Sequence, residues 1–203
     1  MTGRTIVITS GKGGVGKTTA TANLGTALAM RGQKVVVIDA DIGLRNLDVI
    51  MGLENRIVYD LVNVIEGKCK MHQAMIRDKH QLELFLIPAA QTRDTASIEP
   101  EQLRELCEKL EQEFDYVLID CPAGIEGGFK NAIGAAKEAI LVTTPEVSAI
   151  RDADRVIGLL EASELHRPKL IINRINTNLV KHGDMMDKDD IVELLSEIGR
   201  AHV

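Results

Sequence analysis

Long apolar runs, patterned cysteines and an excess of positive charge are all missing from this 203-residue chain. No apolar stretch approaches the ~20 residues that span a membrane. The first residues lack the basic region and apolar core of a signal peptide. A net charge of −6 argues against broad attraction to nucleic acid, so we expect no nucleic-acid partner. Together these absences favour a cytoplasmic protein.

The cysteines and histidines form no chemical pattern. Cys69, Cys107 and Cys121 are scattered without C-x-x-C spacing. An odd, unpatterned set fits reduced thiols better than disulfides, zinc or an iron–sulfur cluster. The histidines lack the spacing of metal ligands. The sequence also lacks the Gly-x-Ser-x-Gly elbow and the cysteine–histidine pair that would indicate acyl transfer.

Strand-like and helix-like segments alternate along the chain. Several strand candidates are continuous runs of Val, Ile and Leu, as expected where both faces of a parallel sheet are covered. The predicted strands are Thr5–Thr9, Val35–Asp39, Leu82–Ile87, Tyr116–Asp120, Ala139–Thr143 and Leu170–Asn173. The predicted helices are Lys17–Arg31, Pro100–Glu113 and Val147–Leu160, with another starting at Asp190. The alternation predicts an α/β fold, a doubly wound, mostly parallel sheet with helices on both faces. Ligands bind such sheets at the carboxyl ends of the strands.

A glycine-rich segment joins the first predicted strand to the first predicted helix. It consists of Gly11, Lys12, Gly13, Gly14, Val15, Gly16, Lys17, Thr18 and Thr19. The pattern G-x-x-x-x-G-K-[ST] is that of a loop whose backbone N–H groups turn inward on phosphate oxygens. Lys17 would reach the β- and γ-phosphates, and the Thr18 hydroxyl would bind Mg²⁺. The alternative is a plain glycine turn. The flanking strand and helix disfavour it, so we predict that the chain binds a nucleoside triphosphate.

Lys12 is a second lysine in this loop, where the motif requires only one. A cation directly after the first glycine would lie beside the phosphates. There it would stabilise charge that develops in the transition state, either within one subunit or across a dimer. The alternative interpretation is a solvated surface lysine.

Acidic residues follow two of the predicted strands. Asp39 and Asp41 end the second strand, where carboxylates can orient water and contact Mg²⁺ through its hydration shell, although aspartates also favour plain turns. Asp120 ends an apolar strand and can hold Mg²⁺-bound water near Thr18. Gly124 follows and could supply a flexible N–H near the γ-phosphate. We therefore predict a nucleotide-sensing switch at this edge of the sheet.

Residues 12–19 resemble the deviant Walker A motif of the ATPase family that includes MinD, ParA and the nitrogenase iron protein. Three further stretches resemble the MinD branch of that family: residues 41–54, residues 120–126 (with Cys121 in place of a serine) and residues 143–155. The resemblance extends over about residues 4–196 and implies a P-loop ATPase of that type.

The resemblance implies roles for several residues. Asp41 corresponds to the residue that positions the attacking water, and Asp39 to one that supports the metal site. Lys12 would enter the site of the other subunit in an ATP-dependent homodimer. Asn46 belongs to the segment that switches with the nucleotide. Asn173 matches an asparagine that reads adenine, because its carboxamide can donate to N7 and accept from the exocyclic amine; the alternative is an asparagine in a strand-end turn.

The resemblance also implies partners. The segment that contains Glu146, Ser148, Arg151 and Asp152 resembles the edge of the dimer where partner proteins dock, although without the resemblance it reads as the start of a helix. The implied function is an ATP- and Mg²⁺-dependent switch that positions the cell-division site by recruiting a division inhibitor of the MinC type to the membrane. An activator of the MinE type would trigger slow hydrolysis. Membrane binding would need a C-terminal helix, which places the full-length protein on the inner face of the cell membrane.

Other functions remain open from the sequence. A ParA-type partitioning ATPase would share the nucleotide site but need a basic DNA-binding face. A flagellar-number ATPase of the MinD-like kind would have a similar segment after the second strand, usually without an arginine at position 45. A small-molecule kinase would transfer phosphate to a metabolite. A nucleotide-binding interaction module would bind ATP without turnover.

The last seven residues, 197–203, look unlike the family and can be encoded by a common sequencing-adapter sequence. We therefore expect residues 1–196 to be part of one ATPase domain, the natural protein to be longer, and residues 197–203 to be a non-native tail. Without a membrane-binding helix, the 203-residue chain is expected to be soluble.

Overall fold

The carboxyl ends of the central strands meet at one edge of a single sheet. The computed structural model describes residues 2–81, 83–91, 98–125 and 127–200, with side chains up to residue 195. The strands are β1 (Arg4–Thr9), β2 (Val35–Asp39), β3 (Ile76–Arg77), β4 (Leu84–Ile87), β5 (Tyr116–Asp120), β6 (Glu138–Thr143) and β7 (Lys169–Ile172). Their order is β3-β4-β2-β5-β1-β6-β7, parallel except for β3 against β4. The predicted fold class is confirmed.

Helices connect the strands. They are α1 (Lys17–Ala29), α2 (Leu47–Ile50), α3 (Leu61–Ile65), α4 (Met71–Ala74), α5 (Pro100–Leu110), α6 (Gly127–Ala135), α7 (Val147–Ala162), α8 (Thr177–His182) and α9 (Lys188–Arg200), with a 3₁₀ turn at Glu54–Arg56. Among the described residues, no helix combines the length and apolar character needed to cross a membrane.

Both faces of the sheet are buried, which explains the continuous apolar runs. In β2, Val36 and Ile38 pack into the core under α5, α6 and α7, whereas Val35 and Val37 pack toward α1 on the opposite face. Successive side chains of a strand point to opposite faces, so a strand covered on both sides needs an apolar residue at every position. The core therefore holds the central strand ends in fixed positions.

The structure differs from the sequence prediction at the ends of elements and in the elements that were not named, which are β3 and the helices α2, α3, α4, α6 and α8. β3 was not predicted, because two residues are too few to show a strand pattern. β4 begins at Leu84, and the predicted start at Leu82 lies outside the described residues. β7 ends at Ile172, so Asn173 lies just beyond the strand.

The division of the chain at residue 196 stays a prediction. Residues 201–203 of the expected non-native tail lie outside the described residues, and residues 197–200 continue the backbone of α9.

Candidate functional site

The loop between β1 and α1, here called the P-loop (residues 10–18), lies at the carboxyl end of β1. Gly14 (φ 78°) and Gly16 (φ 97°) adopt left-handed backbone conformations that favour glycine. Gly16 is also the N-cap of α1, so the unpaired N–H groups at the start of that helix face the loop. The loop lines an open cavity of ≈ 450 Å³, together with Asp41 and Asn46 from the segment after β2. This is the arrangement expected of an anion site.

Lys17 and Asp120 form a buried ion pair beneath the P-loop. Lys17 Nζ lies 2.7 Å from Asp120 Oδ1, and the side chains are only 6% and 1% exposed. Thr21 Oγ1 donates to the same oxygen at 3.1 Å, and Lys17 Nζ lies 3.4 Å from Thr18 Oγ1. Asp120 Oδ2 is buried without a hydrogen-bond partner among the described residues. The structure thus brings together three predicted site residues and adds Thr21.

Asp39 is fully buried at the end of β2, in register with Asp120 of β5. Its Oδ1 accepts a hydrogen bond from the N–H of Asp41 (3.0 Å), and its Oδ2 accepts one from the N–H of Leu47 (3.2 Å). Burial and then the charge of Asp120 raise the pKa of Asp39 to about 7, against the opposing effects of these donors and of Lys17. Burial also raises the pKa of Asp41, which is half-buried in the cavity wall. Asp39 therefore anchors the segment that carries Asp41.

Lys12 does not point into the cavity of its own chain. Its Nζ lies 3.3 Å from Glu146 Oε2 and donates to Ser148 Oγ at 3.1 Å. A second contact lies beside it: a Cβ added to Gly11 would be only 2.4 Å from the backbone carbonyl of Asp152. The P-loop is thus joined to the first two turns of α7 by a polar contact and by close packing.

The predicted partner surface lies along this part of α7. Glu146, Ser148 and Arg151 are exposed, whereas Asp152 is half-buried and lies 4.0 Å from Arg155. All four predicted residues therefore belong to one helix start, and two of them hold the second lysine of the P-loop. The sequence singled out these residues but did not predict that contact.

Asn173 and Arg174, directly after β7, contact the P-loop. Asn173 Nδ2 donates to the Val15 carbonyl at 2.9 Å, and the Arg174 guanidinium donates to the Gly14 carbonyl at 2.8 Å. A Cβ at Gly16 would lie 2.4 Å from Asn173 Nδ2. Asn173 was predicted as a nucleotide residue. Arg174 was missed, because a single exposed arginine after a strand carries no signal of its own.

The two predicted switch residues occupy different positions. Asn46 lines the cavity at the N-cap of α2. Gly124 has a left-handed backbone (φ 90°), and its N–H donates to the Ser10 carbonyl at 3.3 Å. Near Asn46, Arg45 Nε pairs with buried Asp48 at 2.8 Å. The segment after β2 is thereby held by buried carboxylates at both ends.

Three apolar side chains in this segment were not singled out in the sequence. Leu44, Val49 and Ile50 line the cavity and are 69%, 62% and 46% exposed. The available signal was the occurrence of apolar residues in a segment otherwise rich in turn formers. Exposed apolar groups around a polar cavity indicate a surface that becomes covered.

Comparisons with known proteins agree with this geometry. A family model described as an AAA domain matches residues 3–172. The chain is 63% identical over 196 residues to the septum site-determining protein MinD of Bacillus subtilis, covering 96% of this chain and 73% of that protein. It is 52% identical to MinD of Aquifex aeolicus, alone and in a MinC:MinD complex, with a TM-score of 0.87 and coverage of 95% of this chain and 78% of that one. A Mg-ADP complex of MinD from Pyrococcus horikoshii is 32% identical, with a TM-score of 0.80 and coverage of 94% and 76%.

A P-loop at the carboxyl end of a parallel sheet, with acidic strand ends beside it, defines a P-loop nucleotide hydrolase. The two lysines of the loop place it in the deviant Walker A class. The chain belongs to the MinD family of septum site-determining ATPases.

Proposed function

We propose that this chain is an ATP-driven dimerisation switch that positions the cell-division site by recruiting a division inhibitor to the membrane. ATP binds in the P-loop cavity with its phosphates on the backbone N–H groups of residues 13–19 and the partial positive charge of α1. The observation that carries the proposal is the contact between Lys12 and α7, because it connects the nucleotide loop directly to the predicted partner surface.

The residues around Lys17 fit a magnesium ion. Asp120 Oδ2 is buried without a hydrogen-bond partner among the described residues, and the Thr18 hydroxyl lies beside the Lys17 ammonium. These are the hard oxygen donors that Mg²⁺ prefers. Thr18 would hold the ion directly, and Asp39 and Asp120 through water. When bound, the ion neutralises charge on the β- and γ-phosphates.

Asp41 is the group proposed to orient the attacking water. It lies in the cavity wall, and its raised pKa makes it a better proton acceptor than an ordinary aspartate. Asp39 keeps Asp41 in place through the hydrogen bond to its N–H. The segments that contain Asn46 and Gly124 would change conformation when the γ-phosphate is lost, and Asn173 would contact the base.

Lys12 is proposed to complete the site of a second subunit. In one chain its ammonium contacts Glu146 and Ser148, so it must leave them to reach a partner's phosphates. The exposed Leu44, Val49 and Ile50 around the cavity supply apolar area for the same dimer interface. Dimerisation would therefore release Glu146 and Ser148 from their contacts with Lys12.

We propose that a division inhibitor of the MinC type docks on the surface formed by Glu146, Ser148, Arg151 and Asp152. The Aquifex aeolicus MinC:MinD complex supports a partner of this kind. An activator of the MinE type and peripheral binding to the inner face of the cell membrane, through a helix beyond these residues, belong to the same proposal. Two weak membrane helices brought together by dimerisation bind more tightly than one.

Light scattering tests the switch. The molar mass is measured with Mg²⁺-ATP and with Mg²⁺-ADP for the unchanged chain, for Lys12→Ala and for a control variant, Lys109→Ala. Lys109 is an exposed lysine on α5 and does not line the P-loop cavity. We expect a dimer only with Mg²⁺-ATP, lost in Lys12→Ala and retained in Lys109→Ala.

Two outcomes would contradict the proposal. A monomer with saturating ATP would exclude an ATP-driven dimer of this chain. A dimer that persists in Lys12→Ala would exclude a contribution of Lys12 across the interface.

A further inference from the structure

Two consecutive side chains after β7 hold two consecutive carbonyl groups of the P-loop. We propose that Asn173 and Arg174 form a brace that fixes the P-loop in its phosphate-binding conformation. Both residues would then strengthen the binding of every nucleoside triphosphate by the same factor. This inference rests on the proposed nucleotide site and makes the two side chains positioning residues for that site.

The contacts tie separate peptide groups. Asn173 Nδ2 donates to the carbonyl of Val15 at 2.9 Å, and the Arg174 guanidinium donates to the carbonyl of Gly14 at 2.8 Å. The side chain of Val15 is itself buried in the core and therefore fixes this end of the glycine-rich segment. Asn173 therefore adds to the anchoring of Val15, and Arg174 holds the carbonyl of Gly14, which has no side chain to pack in the core.

A loop of glycines needs such restraint. Gly13 and the left-handed Gly14 have little steric barrier to rotation of the peptide groups around them. If the Gly14 peptide group turned over, its carbonyl would point toward the phosphates and its neighbouring N–H away from them. An oxygen aimed at a phosphate repels it, whereas an N–H binds it. The carboxamide of Asn173 and the guanidinium of Arg174, which itself lines the cavity, occupy these carbonyl oxygens and oppose such a rotation.

The backbone at the end of β7 is shaped for these two contacts. Arg174 has a φ of 62°, an unfavourable conformation for arginine, and its N–H donates to its neighbour's Oδ1 at 2.9 Å. That hydrogen bond orients the carboxamide so that Nδ2 faces the loop. The approach is close enough that any side chain at Gly16 would collide with Nδ2.

The brace and adenine recognition make different predictions for Asn173. Its carboxamide has one N–H and one lone pair left after the two contacts described, which is enough to read a base. Loss of base reading would weaken ATP binding and leave GTP binding unchanged. Loss of the brace would weaken both by the same factor, because the loop contacts only the phosphates.

The test measures dissociation constants of ATP, GTP and AMP by competition with a fluorescent ATP. Asn173→Leu and Arg174→Met keep the approximate volume of each side chain and remove its donors. Arg167→Met is the matched control, because Arg167 is also an exposed arginine with a positive φ (55°), away from the cavity. The chemical midpoint of unfolding is recorded for each variant.

Each brace variant is expected to weaken ATP and GTP binding equally, by about fivefold, the equivalent of one net hydrogen bond. AMP keeps only the α-phosphate of the groups that the loop contacts, so its binding should change less than that of ATP and GTP. Arg174→Lys restores a donor to the Gly14 carbonyl and should recover most of the loss. Arg167→Met should bind all three nucleotides as the unchanged chain does.

Some outcomes overturn the inference. A loss confined to ATP in Asn173→Leu would assign the residue to base recognition alone. Unchanged binding in both brace variants would show that the loop holds its shape without them. Failure of the unchanged chain to bind ATP would instead overturn the proposed nucleotide site, and the brace with it.

Discussion

Removal of the Lys17 ammonium should destabilise the fold itself, not only the binding of nucleotide. Lys17 is paired with buried Asp120, and its charge also acts on the buried carboxylate of Asp39. At 2.7 Å and an effective dielectric constant of about 20, its attraction to one carboxylate is about 6 kcal/mol. Desolvation offsets much of this attraction, and breaking such a pair typically costs about 3–5 kcal/mol.

Lys17→Met keeps the length of the side chain and leaves Asp120 buried without its cation. We therefore expect the free energy of unfolding to fall by about 3–5 kcal/mol, measured by urea denaturation without nucleotide or Mg²⁺. The loss should be larger at pH 8 than at pH 6, because Asp39, with a pKa of about 7, carries its full charge only at the higher pH. Lys109→Met, at an exposed position, should change stability by less than about 0.5 kcal/mol.

A double-mutant cycle tests whether the uncompensated charge of Asp120 causes the loss. Asp120→Asn in the Lys17→Met background removes the uncompensated charge, so the double variant should be more stable than Lys17→Met alone. If Lys17→Met costs less than about 1 kcal/mol, the ion pair does not contribute as the structure implies. If the double variant is less stable than Lys17→Met, uncompensated charge is not the cause of the loss.

Three further predictions concern the same edge of the sheet. Because the pKa of Asp39 is raised to about 7, the folded state keeps the Asp39 proton at pH values where the unfolded state has lost it. The free energy of unfolding should therefore fall as the pH rises from about 4 to 7, by at most about 1.4 kcal/mol per pH unit. Asp39→Asn should abolish this contribution, measured by urea denaturation at a series of pH values. Gly11→Ala forces a methyl group onto the backbone of Asp152 and should lower the free energy of unfolding by about 1–3 kcal/mol. Gly13→Ala is the control and should lower it less, because a methyl group there meets open space. Equal losses of stability in thermal unfolding would show that close packing at Gly11 is not the cause. Cys121→Ser should change the free energy of unfolding by less than about 1 kcal/mol, because the two side chains are similar in size. The variant should also retain ATP turnover, because the thiol is buried with its pKa raised to about 12 and therefore stays protonated.

Much of the fold could be predicted because each central strand is covered on both faces, so that its residues must be apolar without interruption. Val35–Asp39 and Tyr116–Asp120 were predicted to the residue for this reason. Strand β3 could not be predicted, because two residues pair with β4 through the backbone and need no side-chain pattern.

The site was predictable where one motif carries its chemistry and not where it depends on distant contacts. The P-loop is contiguous in sequence, and its spacing alone indicates phosphate binding. The contact of Lys12 with Glu146 spans 134 residues, and that of Arg174 with Gly14 spans 160. Such contacts depend on the strand order, which places β6 beside β1 and β7 beside β6 at the end of the sheet.

The position of the brace has a consequence for the order in which the protein is made. The P-loop is synthesised almost first, whereas Asn173 and Arg174 follow the last strand of the described sheet. A nascent chain with only β1 to β6 would hold a P-loop without its brace and would bind nucleotide weakly. Since a ligand stabilises a fold only as far as it binds, ATP would stabilise this chain more strongly once β7 and the two residues after it have left the ribosome.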